Sequence, residues 1–225
     1  MKTYLFKPEV SIVGAVSPVA SIPELEREQG VYSATPDFVR KHCGPIANQI
    51  MERVGDWYFK EATALGLYPN IDVRVHRLYP GDYPAYPGWH CDGEFRETYF
   101  SQPDLDRIKV GKHIIATVSS VEGGVSNCQF LNEPLDVTLD HEPSSEHTLW
   151  GQVHKKVPDN AYTLNTQDGF IYQFDSRSLH RVMPAKVRGW RLFFRMSMWH
   201  KPNLGDGGMV TKQEQVYKLV EGGGW

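Results

Sequence analysis

Residues 169–199 read GFIYQFDSRSLHRVMPAKVRGWRLFFRMSMW, and this stretch decides the fold class. An apolar run from Gly169 to Phe174 ends in a polar turn, His180 opens a short strand to Met183, and the Arg188-Gly189 turn leads into a second apolar strand over Arg191–Trp199. Upstream the same texture predicts strands at His113–Ser119, Cys128–Leu131 and Thr148–His154, separated by turn signals at Gly123-Gly124, Pro158-Asp159-Asn160 and Gln167-Asp168-Gly169. Ile71, Val73, Val75 and Arg77 alternate with Asp72, Arg74, His76 and Leu78, a strand with two differently furnished faces. Helical spacing is confined to Phe38, Val39, Cys43, Ile46, Ile50, Val54 and Trp57, with Gly44-Pro45 a point of division. Residues 1–35 read as short edge strands and turns. Many short strands after one helical layer predict a mainly β chain with flanking helices, a barrel or sandwich. No boundary divides it: a single domain over 1–225 is expected, with helical support at about 36–66, a core at about 71–200, and a flexible glycine-rich tail at about 203–225 in which 211–221 form a short helix.

Composition narrows the function. The chain has 225 residues, with Lys+Arg 24 against Asp+Glu 27 and a net charge of -3, so no global basic field is present to hold a polyanion. Its apolar runs fall far short of a membrane span, and Lys2, Lys7 and Glu9 interrupt any signal-peptide core, which predicts a cytoplasmic protein. Cys43, Cys91 and Cys128 are odd in number and in no CxxC arrangement, so reduced thiols are expected.

Nine histidines remain as a source of chemistry. In an extended chain His90 and Asp92 share one face while Cys91 points away, which offers two adjacent ligands to a divalent metal. Such a tripeptide also fits a plain surface strand. The distal segment favours the metal reading, because His180 supplies a second imidazole and Arg191 follows it by eleven residues. Two histidines and one carboxylate form a facial triad that leaves coordination positions open, as non-haem Fe(II) oxygenases require.

His90, Asp92, His180 and Arg191 together resemble, in type, order and spacing, the motif of the Fe(II)/2-oxoglutarate-dependent dioxygenases. The spacing is most similar to the phytanoyl-CoA-hydroxylase-like and taurine-dioxygenase-like branches. Arg77-Leu78-Tyr79-Pro80-Gly81, Gly123-Gly124 before Gln129-Phe130-Leu131, and Gly169–Phe174 agree with it, so the likeness covers about 71–200. The resemblance implies a double-stranded β-helix, the cupin-like jelly-roll barrel. It also implies Fe(II) held by His90, Asp92 and His180, 2-oxoglutarate as co-substrate with its far carboxylate on Arg191, and O2 as oxidant. Arg195 competes for that carboxylate, since Arg195 and Ser197 form an Arg-x-Ser that some members use, and residues 191, 193, 195 and 197 share a strand face. The offset favours Arg191. Gln129 and Asn127 are candidates for hydrogen bonds to co-substrate or substrate. An aspartate at position 92 speaks against the halogenating members, where Ala or Gly makes room for a halide.

The expected reaction is hydroxylation of a small molecule with release of succinate and CO2. Arg74 and His76 are candidate pocket residues, although a solvated outer face is their plainer reading; Tyr79, Tyr83, Tyr86 and Trp89 form an aromatic loop that either caps the substrate or stiffens a connection. His42, His113, His141, His147, His154 and His200 lack ligand context and read as structural or solvent-facing. Two alternatives stand beside this: the same chemistry on a nucleobase or protein side chain, kept open by the local basic strip Lys186, Arg188, Arg191 and Arg195, and a cupin-like binding module without turnover. Oligomeric state is not legible in the sequence.

Overall fold

The computed structural model describes residues 2–92, 105, 111–199 and 207–211. In chain order they form β1 (Thr3–Phe6), β2 (Val10–Ala15), α1 (Ile22–Glu26), β3 (Gly30–Ala34), α2 (Pro36–His42), α3 (Pro45–Val54), α4 (Asp56–Ala64), β4 (Tyr68–Leu78), β5 (Lys112–Ser119) and β6 (Cys128–Leu131). Then come β7 (Leu135–Thr138), α5 (Glu146–Lys156), β8 (Thr163–Asn165), β9 (Phe170–Asp175), β10 (His180–Val182), β11 (Gly189–Trp199) and β12 (Met209–Thr211). The protein is mainly β. A seven-stranded sheet runs in the order β12-β3-β4-β11-β5-β9-β2, a three-stranded sheet runs β10-β6-β8, and β1 pairs with β7. All these pairings are antiparallel.

The period-2 alternation of β11 sets the layers. Leu192 lies between Val75 and Val118, Phe194 between Val73 and Ala116, and Met196 between Ile71 and Ile114, which makes one face of the large sheet continuously apolar. That face is buried with Ala47, Ile50, Met51 and Val54, the apolar stripe of α3. The intervening residues populate the other face: Arg191 opposite His76 and Ser119, Phe193 opposite Arg74 and Thr117, Arg195 opposite Asp72 and Ile115, Ser197 opposite Asn70 and His113. Here Ile115, Tyr172 and Phe174 pack against Cys128 and Phe130 of the small sheet, with the Phe130 and Phe174 rings edge to face at 4.9 Å. A polar stripe is thus held between two sheets, the place where a site can be built.

The helical layer divides where the sequence predicts, at Gly44-Pro45, and again at Gly55, whose φ of 79° ends α3 in a conformation that favours glycine. Gly44 has no side chain to cap α3. The buried Glu28 carboxylate does so instead, accepting from the amides of Gly44 at 3.0 Å and Ile46 at 2.6 Å.

Three expectations are corrected. Residues 148–154 are not a strand: they lie in α5, where Ser145 and Thr148 form a capping box and Leu149, Trp150 and Val153 bury a helical stripe. The tail is not free throughout, because β12 pairs with β3 from Met209 to Thr211; the rest of 203–225, including the helix expected to 221, lies outside the described residues apart from 207–211, as does His200. Residues 90–92 are not a strand either, and His90 makes only a single bridge to His180. Three short strands, β7, β8 and β12, and the one-turn helix α1 were not foreseen. All three cysteines are free and buried. Among the described residues no helix is long and apolar enough to cross a membrane.

Candidate metal centre

His180 opens β10, and the loop after β4 returns to meet it at His90. The two backbones exchange both hydrogen bonds, His90 N–H to the His180 carbonyl at 3.0 Å and His180 N–H to the His90 carbonyl at 2.9 Å. This antiparallel bridge places the imidazoles with ring centres 4.6 Å apart. Asp92 follows two residues on, and one ligand atom from each of His90, Asp92 and His180 lies within 4.8 Å of the others.

The tautomers are fixed by their neighbours. His90 Nδ1 lies 2.7 Å from the Gly88 carbonyl and His180 Nδ1 lies 3.0 Å from the Ser178 carbonyl. A carbonyl oxygen only accepts, so each ring carries its proton on Nδ1 and presents the Nε2 lone pair to the cluster. Burial pushes His90 down to about 4, with the neighbouring His180 and Arg195 acting in the same direction against Asp92. Burial acts to raise the Asp92 carboxyl, but the Arg195 guanidinium and His180 outweigh it and hold the group well below the usual carboxylate range. Two neutral imidazoles and one ionised carboxylate are the donor set that a divalent first-row metal takes. The residues therefore fit such an ion.

The two arginines of β11 are in opposite states. Arg195 is pinned between carboxylates, donating from Nη2 to Asp72 at 2.6 Å and from Nη1 to Asp92 Oδ2 at 3.0 Å. Arg191 is 2% exposed and has no carboxylate partner among the described residues; there its hydrogen bond runs from Nε to the Ser126 carbonyl at 3.0 Å. Burial lowers its pKa, with Asp168 opposing from beyond ion-pair distance. Asp168 itself is hydrogen-bonded to Thr117, while its Oδ2 is buried without a partner.

A cavity open at its mouth joins these groups. Its wall includes the triad, Arg74, Arg191 and Arg195, together with Tyr86, Cys128, Val182 and Phe193. The remaining sequence candidates stand elsewhere. Tyr79 is exposed between Arg77 and Arg188, and Trp89 is buried in an apolar cluster with the Arg181 guanidinium 4.5 Å over its ring. Gln129 is occupied by Arg181 and Asn165, and Asn127 by the Thr166 carbonyl. His76 faces Arg191 across the β4–β11 pair, 2% exposed, with Nδ1 unpartnered, and burial pushes it down to about 3. Ser197 reaches His113, not the cavity. Ser176 donates to the Gly111 carbonyl and so accepts from His113 Nε2 at 3.0 Å, which leaves His113 Nδ1 to accept from Ser197 at 2.9 Å. Asp72, Cys128, Val182 and Phe193 were missed. Period-2 alternation carried a signal for Asp72, which shares its strand face with Arg74 and His76, and for Phe193, which shares one with Arg191 and Arg195.

No protein-family model matches the chain, and no curated protein matches it. Among solved structures it is similar to a non-heme monooxygenase in a nickel complex, ThoJ, at 10% identity and a TM-score of 0.42, over 91% of this chain and 80% of that one. It is also similar to an N-substituted L-amino acid dioxygenase from Burkholderia ambifaria AMMD, at 19% identity and a TM-score of 0.36 over 87% of this chain and 78% of that one. The same dioxygenase in complex with alpha-KG gives 16% and 0.33 over the same shares. At such identities and TM-scores the functional reading rests on this chain's own residues.

Proposed function

We propose that the chain is an Fe(II)- and 2-oxoglutarate-dependent dioxygenase on a jelly-roll barrel, hydroxylating a small molecule. The observation that carries the reading is Arg191, a buried cation without a carboxylate partner among the described residues, on the wall of the same cavity as a His-Asp-His triad. A module that only bound metal would gain nothing from burying an uncompensated guanidinium. A dicarboxylate co-substrate, were it held by the triad residues and Arg191, would neutralise it.

When bound, Fe(II) and 2-oxoglutarate supply the activation of O2 for C–H oxidation, with release of succinate and CO2. The protein supplies placement. His90 and His180 offer Nε2 because their Nδ1 protons are committed to backbone carbonyls, and Asp92 stays ionised because Arg195 holds it. Arg191 meets the far carboxylate with a planar fork whose Nε is already fixed on Ser126, so the co-substrate is oriented from its distal end. Phe193 and Val182 keep the wall between them dry. An apolar wall with a few convergent charged groups supports a small-molecule substrate.

Anaerobic addition of Fe(II) and 2-oxoglutarate is expected to produce the weak visible charge-transfer band of a chelated 2-oxo acid, and His180→Ala or Asp92→Ala to abolish it. Wild-type protein that gives neither the band nor succinate under oxygen would refute the proposal.

A further inference from the structure

Three arginines line the cavity, and the two already discussed leave one unassigned. Arg74 makes no hydrogen bond or ion pair among the described residues. It stands on β4 opposite Phe193, one pleat repeat from the Asp72–Arg195 pair on one side and from the His76–Arg191 pair on the other, roughly 7 Å along the strand in each direction. Its side chain is on the inner face with theirs. Its charge reaches both neighbours of that second pair, lowering His76 and Arg191 alike.

Depth separates the two cations that lack a carboxylate partner among the described residues. Arg191 is 2% exposed and tied to the Ser126 carbonyl, whereas Arg74 is half-buried, across the strand pair from Phe193. A co-substrate held by the triad and Arg191 would run beside β11, with Arg74 one strand over on β4. The guanidinium nearer solvent is then left facing whatever enters second. The same cavity is also lined by Pro84, Ala85, Tyr86, Val182 and Phe193, the last directly opposite Arg74.

We infer that the primary substrate is a monocarboxylate with an apolar body, its carboxylate paired with Arg74 and its body against Tyr86, Val182 and Phe193. A single guanidinium matches a planar carboxylate bidentately, while a phosphate dianion would call for more positive charge than one arginine brings. This inference rests on the dioxygenase reading and adds the substrate class to it.

The test is a titration of the anaerobic Fe(II)·2-oxoglutarate protein with matched probes, hexanoate against hexanamide and phenylacetate against phenylacetamide, followed by heat of binding and by displacement of the charge-transfer band. The acids are expected to bind roughly 10- to 100-fold more tightly than their amides, the worth of one charge-assisted hydrogen-bonded pair. Arg74→Gln should erase that preference while the band at saturating 2-oxoglutarate persists. Equal binding of acid and amide, or no binding of either acid, overturns the inference. So does an Arg74→Gln protein whose affinity for 2-oxoglutarate falls as far as that of Arg191→Gln, since Arg74 would then be a second arm for the co-substrate. Failure of the band itself in the wild-type protein sinks the dioxygenase reading instead, and is seen in the same cuvette before any probe is added.

Discussion

Arg191 and Arg195 occupy the same face of one strand, four residues apart, yet a substitution at each should fail in a different way. Arg195 bridges Asp72 and Asp92, so Arg195→Gln leaves two poorly solvated carboxylates facing each other. Breaking a half-buried network of this kind costs about 1–3 kcal/mol, and the urea midpoint is expected to fall accordingly, with metal affinity falling as Asp92 loses its orienting partner. Arg191→Gln removes a buried charge that has no carboxylate partner among the described residues, so stability should hold or rise, while the dissociation constant for 2-oxoglutarate rises roughly 10- to 100-fold. Equilibrium unfolding and anaerobic titration of the two variants side by side separate the roles; loss of stability in both, with co-substrate binding intact, would contradict the assignment. The offset from His180 pointed to Arg191 in the sequence. What sequence could not show was why, since the answer lies in Asp72, a residue 123 positions from Arg195 and brought beside it only by strand pairing.

At the scale of elements, β4, β5, β6, β9, β10 and β11 were legible because each carries period-2 alternation or an unbroken apolar run between turns. β7 and β8 were not: they are no shorter than β6 and β10, but Leu135-Asp136-Val137-Thr138 and Thr163-Leu164-Asn165 hold no apolar run to mark them. Residues 148–154 misled because Leu149, Trp150 and Val153 suit a strand as well as a helix, and the Ser145 cap that settles the matter lies outside the apolar run. The alternation of β11 makes a sharp prediction. Phe194 is fully buried against the helical layer and Phe193 lies on the cavity wall, so Phe194→Ala should cost about 3–5 kcal/mol with the charge-transfer band retained. Phe193→Ala should cost less and perturb the band, as measured by chemical denaturation and anaerobic spectra. Equal stability losses would mean that the two faces are not distinguished in this way.

At the scale of the molecule, desolvation favours the neutral form at several histidines, among the described residues His76 at about 3 and His90 and His113 at about 4. The unfolded chain binds protons at these rings from about pH 6.5 downward, while the folded chain does so only near those lower values. Stability is therefore full above about 6.5 and declines as the pH falls from there toward 4, each ring adding a slope of up to about 1.4 kcal/mol per pH unit. Urea unfolding of metal-free protein at pH 7 and pH 5 should show the decline, and His76→Gln should make it shallower by close to one proton; an unchanged slope in the variant would show that His76 is protonated in the fold. The paired amide–carbonyl exchange between His90 and His180 sets the spacing of the two imidazoles through the main chain. In a site gathered from loose coil, an arriving ion must itself organise its donors, and much of the free energy of coordination is consumed by that ordering. Here the two imidazoles are laced together through the main chain beforehand. The free energy of coordination would then be left for choosing among ions, by ligand softness and preferred geometry.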